Sequence, residues 1–154
     1  MTLAVGDEAP DFDLPQALDA GDNIKLSDYR GKSNVLLCFY PFDFSGPCGE
    51  QLPVYQAQSD KFESANCQVL GISVDSKFSH AAWAEKLGVE YPLLSDFPAK
   101  NTVQSYGLLH EGGFSNRAVI LIDKEGKVAH IQVSPTPPEL PDNDALYAAL
   151  EGLS

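Results

Sequence analysis

Cys48 follows Pro41, Ser45, Gly46 and Pro47 and stands at the head of a helix-compatible stretch. A thiol in the first turn of a helix meets free backbone N–H groups and the positive end of the helix dipole, and both stabilise an anion. Only the thiolate is a good nucleophile. Its attack on a peroxide oxygen gives a sulfenic acid and leaves charge on the departing oxygen, which fixed donors must meet. The Ser45 hydroxyl and the Cys48 N–H are the local donors. The missing cation has two sources, Arg30 and Arg117, and Arg117 directly precedes the apolar stretch Ala118 to Asp123. A guanidinium there favours a thiolate and offers two oxygens a planar fork. Taken singly, Cys48 also reads as a small buried hydrophobe, Ser45 as a plain helix cap and Arg117 as a surface charge. The Pro, Gly and Ser setting at a helix start turns Cys48 toward function.

Such a group needs elements to hold it. Residues 34 to 40 form an apolar run bounded by Gly31 and Pro41, which predicts a strand buried on both faces, and residues 68 to 74 repeat it. Between them, residues 46 to about 65 have helical spacing, with Pro53 tolerated only near the first turn or at a kink. Pro47 suits the first helical position. A second helix over residues 79 to 87 ends at Gly88. Two further strands, 118 to 123 and 128 to 133, flank the turn at 124 to 127 and predict a hairpin. The connector 134 to 141 is rich in proline and extended. Asp142 or Asn143 then caps a last helix over 144 to 150. This order predicts an α/β chain of thioredoxin-like fold, one domain over residues 1–154, with a central mixed β-sheet flanked by helices.

Composition narrows the function. The net charge is -12, from 10 basic and 22 acidic residues, which disfavours nucleic acid and anionic membranes as partners. Residues 1 to 10 lack the basic and apolar regions of a signal peptide, and no segment is apolar enough to span a membrane, so a cytoplasmic protein is expected. Three cysteines, Cys38, Cys48 and Cys67, at irregular spacings suit reduced thiols better than a disulfide framework. His80, His110 and His130 lie far from one another and from the cysteines, so no metal site is expected, and the chemistry calls for no cofactor. Absence of C-x-x-C argues against a thiol-disulfide oxidoreductase.

The chain resembles the peroxiredoxins of the AhpC/TSA type. Pro41, Ser45 and Cys48 match the family pattern Pro-x-x-x-Thr/Ser-x-x-Cys, and blocks at 5–12, 26–32, 71–76, 91–96 and 115–123 follow in the family's order. The resemblance implies a thiol peroxidase that reduces hydrogen peroxide or organic hydroperoxides. In it Cys48 is the peroxidatic cysteine, Arg117 the active-site arginine, Pro41 the shield of the thiolate and Ser45 the peroxide-binding hydroxyl. Gln51, three positions after Cys48, fills a place where a Glu or Gln is common, and its implied role is to orient the arginine. Pro53 stands where some members carry a resolving cysteine, and no cysteine follows Cys67. The sequence is most similar to short one-cysteine members of the alkyl hydroperoxide reductase E type, which implies recycling by an external thiol or redoxin. Cys38 reads as core and Cys67 as a surface or half-buried thiol, with Cys67 the choice if the chain resolves its own sulfenic acid. Tyr40, Phe42, Phe44 and Trp83 read as core, as an apolar entrance, or, with Phe42, Phe44 and Trp83, as the contact of a homodimer. The alternative to an enzyme is a peroxide-responsive sensor or binding protein that uses oxidation of Cys48.

Overall fold

The computed structural model describes residues 3–17, 21–136 and 139–153. A short antiparallel pair, β1 (Asp13–Leu14) and β2 (Ile24–Lys25), precedes a five-stranded mixed sheet. That sheet contains β3 (Asn34–Phe39), β4 (Cys67–Ser73), β5 (Leu93–Ser95), β6 (Ala118–Ile122) and β7 (Val128–Val133), in the order β5-β4-β3-β6-β7. β3, β4 and β5 run parallel, while β6 and β7 are antiparallel to their neighbours. The helices are α1 (Gly46–Ala57), α2 (Ser59–Ser64), α3 (Lys77–Leu87), α4 (Asn101–Ser105) and α5 (Asn143–Glu151). This is the thioredoxin-like arrangement that the sequence pattern predicts.

β3 lies in the middle of the sheet, and every one of its residues is buried. Because side chains alternate across a strand, it feeds two separate cores. Val35, Leu37 and Phe39 pack with Leu70, Ile72, Ile120 and Tyr106. Leu36, Cys38 and Tyr40 pack on the other face with residues of α1, α3 and α5, among them Leu52, Trp83 and Leu146. The helix ends follow their sequence signals: Gly88 closes α3 at φ 70, and the Asp142 carboxylate accepts from the N–H groups of Asp144 and Ala145 to cap α5.

Two local features differ from the pattern. The long helix expected over 46 to about 65 is broken at Gln58 into α1 and α2. Pro53 is accommodated inside α1, and the Tyr91 hydroxyl donates to the carbonyl of the preceding, buried Leu52 at 2.8 Å. β5 and α4 are too short to carry a readable period and are held by their neighbours instead. Of the connector at 134 to 141, residues 137 and 138 lie outside the described residues. Among the described residues no helix is long and apolar enough to cross a membrane.

Gly71, in β4, is opposite Cys38 on one side and Leu93 on the other. A Cβ there would stand 2.6 Å from Leu93 Cδ2 and 3.5 Å from Tyr40 Cε1. Gly71→Val is expected to lower stability by about 1–3 kcal/mol through overpacking, read as a lower urea midpoint with an unchanged slope.

Candidate active site

The chain leaves β3 after Phe39, turns through residues 40–45 and enters α1. Ser45 is the N-cap, so Gly46, Pro47 and Cys48 form the first turn and Pro47 stands one place later than the pattern suggests. The Cys48 N–H therefore has no acceptor within the helix, and the sulfur sits at the positive end of the dipole. Phe44, just before the cap, holds φ 64, a left-handed conformation that costs a non-glycine residue roughly 1–2 kcal/mol. Ser45 caps by position only: its side chain makes no capping bond, and Oγ is buried without a hydrogen-bond partner among the described residues. Most buried hydroxyls are paired.

The register of β3 and β6 supplies the cation. Phe39 lies opposite Ala118, so Arg117 is held at the same sheet edge from which the chain runs toward Cys48. Arg117 is only 1% exposed. Its Nη2 donates to Cys48 Sγ at 3.1 Å, and its Nη1 donates to Gln51 Oε1 at 2.5 Å. Gln51, one helical turn beyond Cys48, in turn donates from Nε2 to Cys38 Sγ at 3.3 Å and to the Tyr55 hydroxyl at 3.2 Å. Tyr55 donates to Asn143 Oδ1 at 3.0 Å, which links the group to the start of α5. The permanent guanidinium charge is thus held in direct contact with the Cys48 sulfur in a buried place.

The structure thus brings together Cys48, Arg117 and Gln51, with Ser45 at the helix cap and Pro41 buried in the turn. It also brings in Cys38, whose sulfur is fully buried on the same face of the sheet. Burial pushes the Cys38 thiol up, against the pull of Arg117. Cys67 does not join the group. It pairs with Asn34 at the opposite end of β3, roughly 16 Å from the Phe39 end at about 3.3 Å per residue. No disulfide spans that distance. Cys67 is also buried rather than half-exposed, and burial pushes its thiol up to about 12.

The aromatic residues separate in a way that composition does not reveal. Tyr40 and Trp83 are core, with ring centroids 5.3 Å apart, so neither lines an open entrance and Trp83 offers no surface to a second chain. Phe42 and Phe44 are exposed and rest on Phe114 and Trp83 respectively. Sequence reasoning missed a polar cluster behind the turn, formed by Tyr40, Asp43, Asp75 and His80. The available signal was His80 one helical turn before Trp83, together with Asp43 inside the segment that carries Cys48. Among the described residues no three His, Cys, Asp or Glu side chains are grouped to hold a metal.

A family model described as the AhpC/TSA family matches residues 5–131. The chain belongs to the AhpC/TSA family. Among its relatives is the chloroplastic 2-Cys peroxiredoxin BAS1 of Spinacia oleracea, 41% identical over 139 residues, which are 84% of this chain and 52% of that protein. The chain therefore spans about half the length of that relative. Peroxiredoxin-2 of Mus musculus is 39% identical over 142 residues, 86% of this chain and 71% of that one. Among solved structures, the reduced 2-Cys peroxiredoxin of Plasmodium vivax superposes with a TM-score of 0.88 at 33% identity, covering 96% of this chain and 80% of that one.

Arg117→Met removes the cation 3.1 Å from Cys48 Sγ. Alkylation of Cys48 by iodoacetamide at neutral pH is expected to slow roughly tenfold in Arg117→Met, with Arg117→Lys between the two. An unchanged alkylation rate would show that the contact carries no electrostatic weight.

Proposed function

We propose that this single domain is a thiol-dependent peroxidase that reduces hydrogen peroxide or organic hydroperoxides at Cys48. The observation that carries the reading is the 3.1 Å contact of the buried Arg117 guanidinium with a sulfur in the first turn of α1. In the reaction the Cys48 thiolate attacks one peroxide oxygen. An S–O bond forms as the O–O bond breaks, two electrons pass from sulfur to the peroxide, and the departing oxygen takes a proton to leave as water or an alcohol. Cys48 is left as a sulfenic acid.

Each neighbour has a part in this. Arg117 favours the thiolate and, as charge grows on the peroxide, offers it N–H donors. The unpaired Ser45 hydroxyl and the Cys48 N–H supply further donors to the oxygens. Pro41 shields the sulfur from water. Gln51 holds the guanidinium in plane without neutralising it, because an amide carries no charge.

Recycling falls to an external thiol or redoxin: its sulfur attacks the sulfenic sulfur, water leaves, and a second thiol releases Cys48 from the mixed disulfide. This one-cysteine cycle is supported by the separation of Cys67 from the site and by the burial of Cys38 inside a central strand. The protein acts in the cytoplasm, where its three cysteines stay reduced, as a homodimer formed through the exposed Phe42 and Phe44. Nucleic acid and membrane are not partners of so acidic a chain.

Mixing reduced protein with hydrogen peroxide, and separately with an organic hydroperoxide, tests the reading by stopped-flow Trp83 fluorescence and intact mass. Oxidation far faster than that of free cysteine, adding one oxygen, abolished by Cys48→Ser and reversed by added thiol, is the expected result. Oxidation at the rate of a free thiol, or unchanged in Cys48→Ser, overturns it.

A further inference from the structure

We infer that Asp43 and His80 are positioning residues for peroxide reduction: they form a buried clasp that holds the turn carrying Pro41 and Ser45 over Cys48. The inference rests on the peroxidase reading and adds to it a second set of residues, one on α3 and one in the turn itself, that acts through the turn.

His80 is 0% exposed on α3, and the Asp43 side chain in the turn is 1% exposed. His80 Nε2 is 2.9 Å from Leu94 O, a carbonyl that only accepts, so Nε2 carries a hydrogen and donates it. His80 Nδ1 is 2.7 Å from Asp43 Oδ2, and a contact that short between two lone-pair atoms contains a proton. The other carboxyl oxygen, Asp43 Oδ1, accepts from the Tyr40 hydroxyl at 2.7 Å. The Asp43 N–H donates to Asp75 Oδ2 at 2.8 Å, and Asp75 Oδ2 also accepts from Ser73 Oγ at 2.6 Å. Both ends of Asp43, backbone and side chain, are therefore bound to β4, α3 and β5 through Asp75, His80 and Leu94.

The attachment point explains why this matters for the site. Asp43 lies between Pro41 and Ser45, and immediately before Phe44, whose left-handed backbone must be held by its surroundings. None of the clasp atoms bonds to Cys48, Arg117 or Gln51 among the described residues, so the clasp sets the position of the turn while the Arg117 contact sets the charge on sulfur. Loss of the clasp should therefore slow attack on peroxide and leave the reaction of the sulfur with a simple alkylating agent alone.

Two matched variants separate positioning from general loosening. The Asn amide overlays the Nδ1 side of an imidazole and the Gln amide the Nε2 side, so His80→Asn keeps the Asp43 contact and loses Leu94, whereas His80→Gln does the reverse. Each variant gives up one buried hydrogen bond. With stopped-flow oxidation by hydrogen peroxide and alkylation of Cys48 by iodoacetamide as readouts, His80→Gln is expected to slow oxidation roughly tenfold or more, while alkylation, which needs no oriented peroxide, keeps the rate of the unchanged protein. His80→Asn is expected to recover most of that loss. Equal oxidation rates in the two variants, or a loss of oxidation rate matched by an equal loss of alkylation rate, would overturn the inference. If His80→Gln does not fold, Asp43→Ala applies the same two readouts from the turn, with Asp43→Asn as the variant that recovers the rate. Should the unchanged protein itself fail to react with peroxide, the peroxidase reading falls instead, which the wild-type arm alone reveals.

Discussion

The antiparallel register of β3 and β6 is the constraint on which the site depends. Phe39 opposite Ala118 fixes the residues that follow one strand and precede the other at a common edge, so the chain toward Cys48 and the guanidinium of Arg117 meet although 69 positions separate them. A slip of one residue would turn Arg117 to the other face of the sheet, away from α1. Burial on both faces of β3 makes such a slip costly, because it would exchange the two apolar sets that fill the two cores. The same packing that stabilises the fold therefore sets the charge beside the sulfur.

Around that contact, chemistry is divided among elements with separate tasks. The first turn of α1 provides the sulfur and a free N–H, β6 provides the cation, and Gln51 ties the cation to the same helix that carries Cys48. Gln51 also joins the group to Cys38, Tyr55 and α5, so the guanidinium plane is fixed by a bonded chain rather than by packing alone. Buried networks of this kind are rigid when every member is paired. The Ser45 hydroxyl at the cap of the same helix is buried and has no partner among the described residues.

The turn between β3 and α1 is one of the strained parts of the molecule. It contains the left-handed Phe44 and two exposed aromatic rings, yet it must hold Pro41 and Ser45 in place. Its support comes from behind, from Asp43 bound to His80, Tyr40 and Asp75, and from Phe44 resting on Trp83. Charge and position are thus controlled by different residues of the same small region.

Sequence alone determined the strong local signals: the buried runs of β3, β4 and β6, the hairpin around Gly126, the Gly88 stop of α3, the Asp142 cap, and a cysteine in the first turn of a helix after Pro47. Each is a short-range consequence of periodicity, φ preference or unpaired backbone groups, all readable within a window of a few residues. Only the tertiary structure decided which side chains meet. It separated Cys67 from Cys48 by the length of a strand, brought the apparently ordinary core residue Cys38 to Gln51, buried Trp83 while exposing Phe42, and joined Asp43 to His80 across 37 positions. Those outcomes depend on strand register and on which face of the sheet a helix covers, and neither is written in any local stretch of the chain.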